Sequence, residues 1–595
     1  MTVNISSEVQ ALLGKQELAI ITERVDDVVL LIGQMIRMGL PEVLDRHIPR
    51  RGNARELSWG WTATIWLAYL LTEGDHRKVS MARYVQGMRQ TLGAAADRPV
   101  EALDFDDDRL SHLLGHLGKP ETWRAVEQEL SVRSVEVYEL PRQVVRCDMT
   151  TVSGHHTVAE EGLMQFGHSK DDPTLPQVKP GAASLDPLGM PLVTEVVSGE
   201  RADDGLYAGL IGRVDAALGL RGLLFVGDCK MSALETRLDL ARRGHYYLSP
   251  LPLTGQTAQT MPEWIRQGLE KDRHGALESV RRGGGADAEG QGGRVEIARG
   301  YELERIQEAE GPEGTVTWRE RVLVVFSPAH ARQKTEGLEQ RLAKAGEELE
   351  ALTPPVGRGK RQIAEEERLA SAIGRILKKH RVEGLLQVEY AVERESQTRY
   401  FGKGRGSAQR ERQVVEKTRC QIQAVKRDEK AILAVREGFG WKAFATNAAR
   451  EALPLSQAVL EYRNEYRIER IFHRLKSRVN IAPLYVKKDE QIEGLTYLLS
   501  LGVRVLTLME FVVRRALRKD QAKLTGLHPE NRKKETDQPT AERILKAFSG
   551  ITLTVFQDST GQPLFLWLTP LTETQLTILK CLGLENVYAP LQNSG

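Results

Sequence analysis

Two aspartates stand where a carboxylate has little structural use. Asp148 ends the short β-branched run RQVVRCDMTTV (142–152), and Asp228 ends RGLLFVGDCKM (221–231), a wholly apolar strand pattern. A carboxylate at the carboxyl end of a strand in an α/β sheet faces the crevice where ligands bind. Left unpaired beside a buried strand, such a charge is costly unless a partner or a metal compensates it. The competing use is a turn or helix cap, since Asp228 precedes a helical pattern. A third acid comes from YRNEYRIERIFHRLKS (462–477). At about 100° per residue, Tyr462, Glu469 and Lys476 fall on one line of a helix, flanked by Glu465 and His473. Ile468, Phe472, Leu475 and Val479 turn toward a core on the neighbouring face. Glu469 is then at the rim of the buried face, where a helix laid on a sheet can aim it at the strand ends. A solvated charged stripe is the equal alternative on residue types alone.

The elements that must position these groups follow from pattern. Residues 1–138 repeat apolar positions at helical spacing and predict a helical domain. Residues 139–250 change texture: the strand ending at Asp148, two strands joined by DPLG in 178–200, a helix over 204–220, the apolar strand to Asp228, and a further helix and strand. That order describes a layered α/β domain. Residues 251–439 interrupt it with a glycine/arginine-rich run at 281–294, a strand at 321–327, and charged helical stretches at 335–352, 361–380 and 417–438. GWKAFATN (440–447) predicts the return to the sheet, followed through 440–525 by helices over 455–478 and 489–519. A polar linker then leads to a small unit at 540–595, built of a helix, a hairpin and a final helix.

Bulk properties set outer limits. A chain of 595 residues exceeds what one core supports. Net charge is only +2, so composition does not announce a nucleic-acid partner. Charge is uneven, however: residues 511–535 hold eight Lys/Arg against three Asp/Glu, the local basic surface a phosphate backbone would meet. Four cysteines without metal-type spacing and the lack of a signal pattern predict a cytoplasmic protein. The apolar run at 59–72 is too short to span a bilayer and predicts a buried helix, with no membrane partner.

The spacing of Tyr462, Glu469 and Lys476 resembles the signature Y-x2-R-x3-E-x6-K of DDE transposases in the insertion-sequence-four superfamily. Position 465, where that family usually has arginine, is Glu465. CDMTT around Asp148, FGHSKDDPTLPQVKPGAASLDPLGMPLVTEVVSGERAD (166–203) and ATN (445–447) are similar to further segments of the family. The likeness covers roughly 140–250 and 440–520. It implies an α/β RNase H-like catalytic core interrupted by a large α+β insertion, with a helical N-terminal domain and a small α+β C-terminal unit. The N-terminal domain would bind terminal inverted repeats, and the C-terminal unit would serve dimerisation. Asp148, Asp228 and Glu469 would be the acidic triad, holding two Mg²⁺ or Mn²⁺ ions for phosphodiester cleavage and strand transfer. Tyr462 and Lys476 would contact DNA near the cleaved end. Arg467, Arg470, Arg474 and Arg478 would add backbone contacts, with a solvated helix surface as the equal alternative. Partners implied are transposon-end DNA, target DNA and a second copy of the chain. The rivals are an inactive transposase-derived DNA-binding protein and an RNase H-fold nuclease that cuts without joining.

Overall fold

The computed structural model describes residues 19–49 and 56–592, apart from 170, 203–204, 283–294, 313, 358–359, 361, 402–408, 410 and 532. The fold is mixed α/β and divides into two compact units. One gathers the chain up to Ser249, Ile306–Trp318 and everything from Glu461 onward; the other holds Pro250–Arg305 and Arg319–Leu460.

The first unit's described residues begin with a strand, Ala19–Arg24, inside the stretch expected to be helical, and continue as helices to Val137. Helix α1 (Trp59–Glu73) starts at Ser58, whose side chain accepts from the Trp61 amide, and stops at Gly74 in the left-handed conformation. Every residue from Trp59 to Leu71 is buried, as the even apolar run predicts. Helix α2 (Asp107–Leu117) buries Leu110, Leu113, Leu114 and Leu117, a single stripe at helical spacing. This stripe faces a long helix from the other end of the sequence, described below.

Five strands of this unit's sheet position the site: β1 (Val144–Met149), β2 (Gln177–Leu185), β3 (Met190–Ser198), β4 (Leu224–Gly227) and β5 (Tyr246–Pro250), with the short strand Val152–Ser153 also paired to β2. Their order is 3-2-1-4-5. β2 runs antiparallel to both β1 and β3, while β4 runs parallel to β1 and β5. All four residues of β4 are buried, which explains its unbroken apolar pattern: a parallel strand is covered on both faces. β2 and β3 meet through Asp186–Gly189. Gly189 adopts φ +67, and a Cβ there would stand 2.9 Å from the Arg467 carbonyl oxygen, so both conformation and space call for glycine. Helix α3 (Tyr207–Leu218) buries Tyr207, Leu210, Ile211, Val214 and Ala217, an i, i+3, i+4, i+7 stripe.

The chain returns to this unit at Glu461 and reaches helix α4 (Tyr466–His473) and then helix α5 (Asp489–Lys519). α5 is long and apolar enough to cross a membrane, yet 94% of its apolar window is buried inside the protein. It crosses the end of α2 at two glycines. A Cβ on Gly494 would stand 2.1 Å from the Leu114 carbonyl oxygen, and one on Gly118 would stand 2.0 Å from that of Glu490. Nearby, Trp123 stacks on Tyr497 with ring centroids 4.4 Å apart. The terminal hairpin, Thr552–Gln557 with Pro563–Leu568, takes Ala19–Arg24 as a third strand. The sequence pattern sets that hairpin apart, but two strands alone are marginal, and a strand from the other end of the chain completes them.

The second unit has its own core. Helices Pro328–Ala351 and Glu366–His380 pack Leu338, Leu342, Leu349, Leu369 and Ile373 against Cys420 and Ile432. Residues 417–438, expected to be helical, are instead the end of strand Arg412–Arg427 and a short helix, Glu429–Glu437. The strand pairs antiparallel with Leu386–Tyr400; its charged residues mask the alternation that a two-stranded ribbon needs. Strand Trp441–Thr446 falls where the return to the sheet is expected and pairs with Arg321–Phe326. Most of the 281–294 run lies outside the described residues.

Candidate functional site

The parallel register of β1 and β4 pairs Cys147 with Gly227. The next residue of each strand is an aspartate, so Asp148 and Asp228 lie side by side at the carboxyl ends. They line one small cleft with Arg146, Cys147, Tyr462, Glu465 and Ile468. Cys147 itself is buried, and burial pushes its thiol up, as suits a small core residue.

Asp228 serves both uses the sequence allows. Its Oδ1 accepts from the Lys230 amide at 2.9 Å and the Met231 amide at 3.4 Å, a local turn of the kind aspartate favours. The same oxygen accepts from the Tyr207 hydroxyl at 2.8 Å. Tyr207 is buried on the first turn of α3. Burial, then the charges of Asp228 and Asp148, push its phenol well above the ordinary range, so it stays a neutral donor. Asp148 accepts from the Met149 amide at 2.7 Å through Oδ1. Pattern analysis misses Tyr207; its only signal is a polar-tipped aromatic heading an apolar helix stripe.

A second missed residue fastens the helical segment to the sheet. Arg146, two residues before Asp148, is 2% exposed. Its Nε donates to Asp186 Oδ2 at 2.6 Å, and its Nη2 donates to the Glu461 carbonyl oxygen at 2.6 Å. Arg467 Nη1 reaches the same Asp186 oxygen at 2.8 Å. One carboxylate in the β2–β3 turn thus holds β1 and α4 together. Both guanidinium groups converge on Oδ2, while Asp186 Oδ1 is buried without a hydrogen-bond partner, so the pairing offsets only part of the cost of burying that charge.

The helical segment departs from an even 100° wheel. Arg463–Glu465 form a 3₁₀ turn, α4 follows, and Arg474–Arg478 widen into a π turn. A 3₁₀ turn advances about 120° per residue, so it shifts the phase of everything after it. As a result Tyr462 and Glu465 line the cleft, while Glu469, one turn on, is exposed and does not. Tyr462 bonds Glu465; burial, then that carboxylate, push its phenol above the ordinary range. The charged groups expected on DNA are engaged within the chain. Lys476 Nζ is 2.9 Å from both carboxylate oxygens of Asp171. Arg474 is buried, with Nε 2.9 Å from Glu542 and Nη2 2.6 Å from Glu510, so it has no route to a phosphate in this arrangement. Arg467 is shared with Asp186 as described.

The structure therefore brings Asp148, Asp228 and Tyr462 together, adds Glu465, and leaves Glu469, Lys476, Arg467 and Arg474 outside the cleft. Oxygen donors of the two aspartates suit a hard divalent cation. Among the described residues no three His, Cys, Asp or Glu side chains are gathered closely enough to hold a metal ion.

No protein-family model matches the sequence, and no curated protein does. Among solved structures, the chain is similar to a cryo-EM structure of the piggyBac transposase synaptic complex with hairpin DNA, at 8% identity over 82% of each chain and a TM-score of 0.24. A score that low carries no argument about fold or function.

Proposed function

We propose that this chain is a DNA transposase that cleaves the ends of its own element and joins them to target DNA. The observation that carries the reading is the pair Asp148 and Asp228, set side by side by the parallel register of β1 and β4, with α4 entering beside them. The strand order 3-2-1-4-5, with β2 alone reversed, supports an RNase H-like core. The signature at Tyr462, Glu469 and Lys476 supports the transposase assignment. Two Mg²⁺ or Mn²⁺ ions would be held by Asp148, Asp228 and a glutamate of the α4 segment; when bound they stabilise the attacking and leaving oxygens of an in-line displacement.

The chain's own groups have definable tasks. Tyr207 holds the Asp228 carboxylate in place. Arg146 and Asp186 keep the α4 segment on the sheet. The Lys476–Asp171 pair ties the 166–176 loop to that segment and can be exchanged for a phosphate partner. Joining two ends in one event calls for a dimer.

The test uses a plasmid carrying the DNA that flanks the coding region, with Mg²⁺ added. Asp148→Asn and Asp228→Asn should each lower end cleavage by about 10²–10³-fold, the scale of losing a principal transition-state contact; the signature assigns the same loss to Glu469→Gln, although Glu469 lies outside the cleft in this arrangement. Glu465→Gln should retain measurable cleavage. If Glu465→Gln abolishes cleavage and Glu469→Gln does not, the third acid is Glu465. Full cleavage by either aspartate variant ends the proposal. Precleaved ends offered to a target plasmid separate a transposase from a nuclease, which forms no joined product.

A further inference from the structure

A second site lies on another face of α4. A cavity of about 490 Å³ opens between α4, α5 and the β2–β3 turn, large enough for a nucleotide. Arg467, Arg470, Arg514, Arg515 and Arg518 line it, against Glu510 as the one lining carboxylate. Glu510 is already shared among Arg470, Arg474 and Arg514. Arg514 is held below the ordinary guanidinium range by burial and by Arg470, Arg474 and Arg518, despite Glu510 beside it. Arg467 is paired with Asp186 and Arg474 with Glu542, yet Arg470, Arg514, Arg515 and Arg518 still face one lining carboxylate, Glu510, and an anion would relieve that crowding.

The aromatic groups specify the anion further. Tyr466 is 51% exposed at the mouth, with the Arg467 guanidinium 5.9 Å from its ring centre. Arg515 lies 5.0 Å over the Phe511 ring. Guanidinium forks match phosphates, and an exposed ring beside guanidinium planes is a stacking platform for an unpaired base.

We infer that this groove seats a single-stranded segment of DNA, with backbone phosphates on Arg514, Arg515 and Arg518 and one base against Tyr466. The choice of DNA rests on the transposase reading; the groove itself does not depend on cleavage. It lies apart from the cleft of Asp148 and Asp228, which uses Tyr462, Glu465 and Ile468.

The experiment is fluorescence anisotropy of a labelled single-stranded DNA 20-mer of mixed sequence, with the full chain in EDTA. Tyr466→Ala should weaken binding by about 5- to 100-fold, and Tyr466→Trp should restore it. Arg518→Glu should weaken it by about 10-fold and flatten its salt dependence. Both positions are exposed, so folding is retained, checked by circular dichroism. Arg124→Glu, on an exposed site of another helix, should change nothing. An oligomer with abasic sites should erase the difference between parent and Tyr466→Ala. The inference is overturned if both groove variants bind within twofold of the parent, if Arg124→Glu loses as much, or if abasic and intact strands respond alike to Tyr466→Ala. Tighter binding of an RNA of the same sequence would overturn the DNA assignment. Because no metal or cleavage is involved, loss of the catalytic reading and loss of this one give different results.

Discussion

Asp228 owes its orientation to three donors, of which only Tyr207 comes from a different element. A hydrogen bond to a charged group contributes about 1.5–3 kcal/mol, so its removal is measurable without being ruinous. Tyr207→Phe should lower stability in urea by about 1.5–3 kcal/mol while the chain still folds. Because Asp228 then has one less restraint in the cleft, single-turnover cleavage should fall about tenfold, and half-saturation should need more Mg²⁺. An unchanged rate and an unchanged Mg²⁺ requirement would show that Tyr207 only packs. At this scale the two aspartates are legible in sequence because a charge ending an apolar strand breaks a local pattern. Tyr207 and Arg146 are not: their partners are 21 and 40 residues away, and nothing nearby in the chain marks them.

Elements are where helical phase and close approach decide what a residue does. The stripe Ile468, Phe472, Leu475 and Val479 is buried, as the periodicity predicts. The phase of Glu469 relative to Tyr462 is set instead by the 3₁₀ turn Arg463–Glu465 between them, next to the point where Arg146 holds the Glu461 carbonyl oxygen. The bounds of α5, Asp489–Lys519, coincide with the stretch whose pattern predicts a helix. Its crossing with α2 is a matter of backbone contact at Gly494 and Gly118. Gly494→Ala gains helix propensity of about 1 kcal/mol, but the methyl group has no room against Leu114. Overpacking should win, with a net loss of about 1–3 kcal/mol by urea denaturation. A gain in stability would mean that the two helices separate freely.

For the whole molecule, stability carries a pH signature from the start of α5. Glu493 stands beside Asp489 and Glu490, and burial, then these like charges, push its carboxyl up to about 7. The folded chain then holds that proton more tightly than the unfolded chain. Its contribution is full below the ordinary carboxylate pKa and is lost as pH rises through about 7. Between pH 5 and pH 8 the parent should lose about 1–2 kcal/mol more than Glu493→Gln, measured from urea midpoints at both pH values. Equal losses would show that Glu493 titrates as it does in the unfolded chain. At this scale the interruption after 250 is visible as a change of texture, because each unit buries its own apolar stripes; the pattern predicts the return near 440, whereas the chain rejoins the first unit at Glu461. The sharing of one sheet by residues 19–24 and 552–568 is not visible, since each strand reads as an isolated short segment.

Sequence alone determined many of the local facts: most of the strand and helix runs (417–438 and 19–24 are exceptions), which helix faces are apolar, and that Asp148 and Asp228 stand at the ends of their strands. These depend on periodicities of two and 3.6 residues, which survive without knowledge of neighbours. Tertiary structure decided the rest. It placed Glu465 rather than Glu469 on the cleft, drew Lys476 to Asp171 across 305 residues of chain, and enclosed Arg474 with Glu510 and Glu542. Charge pairing and helical phase are settled by packing between distant segments, and no local pattern contains that information.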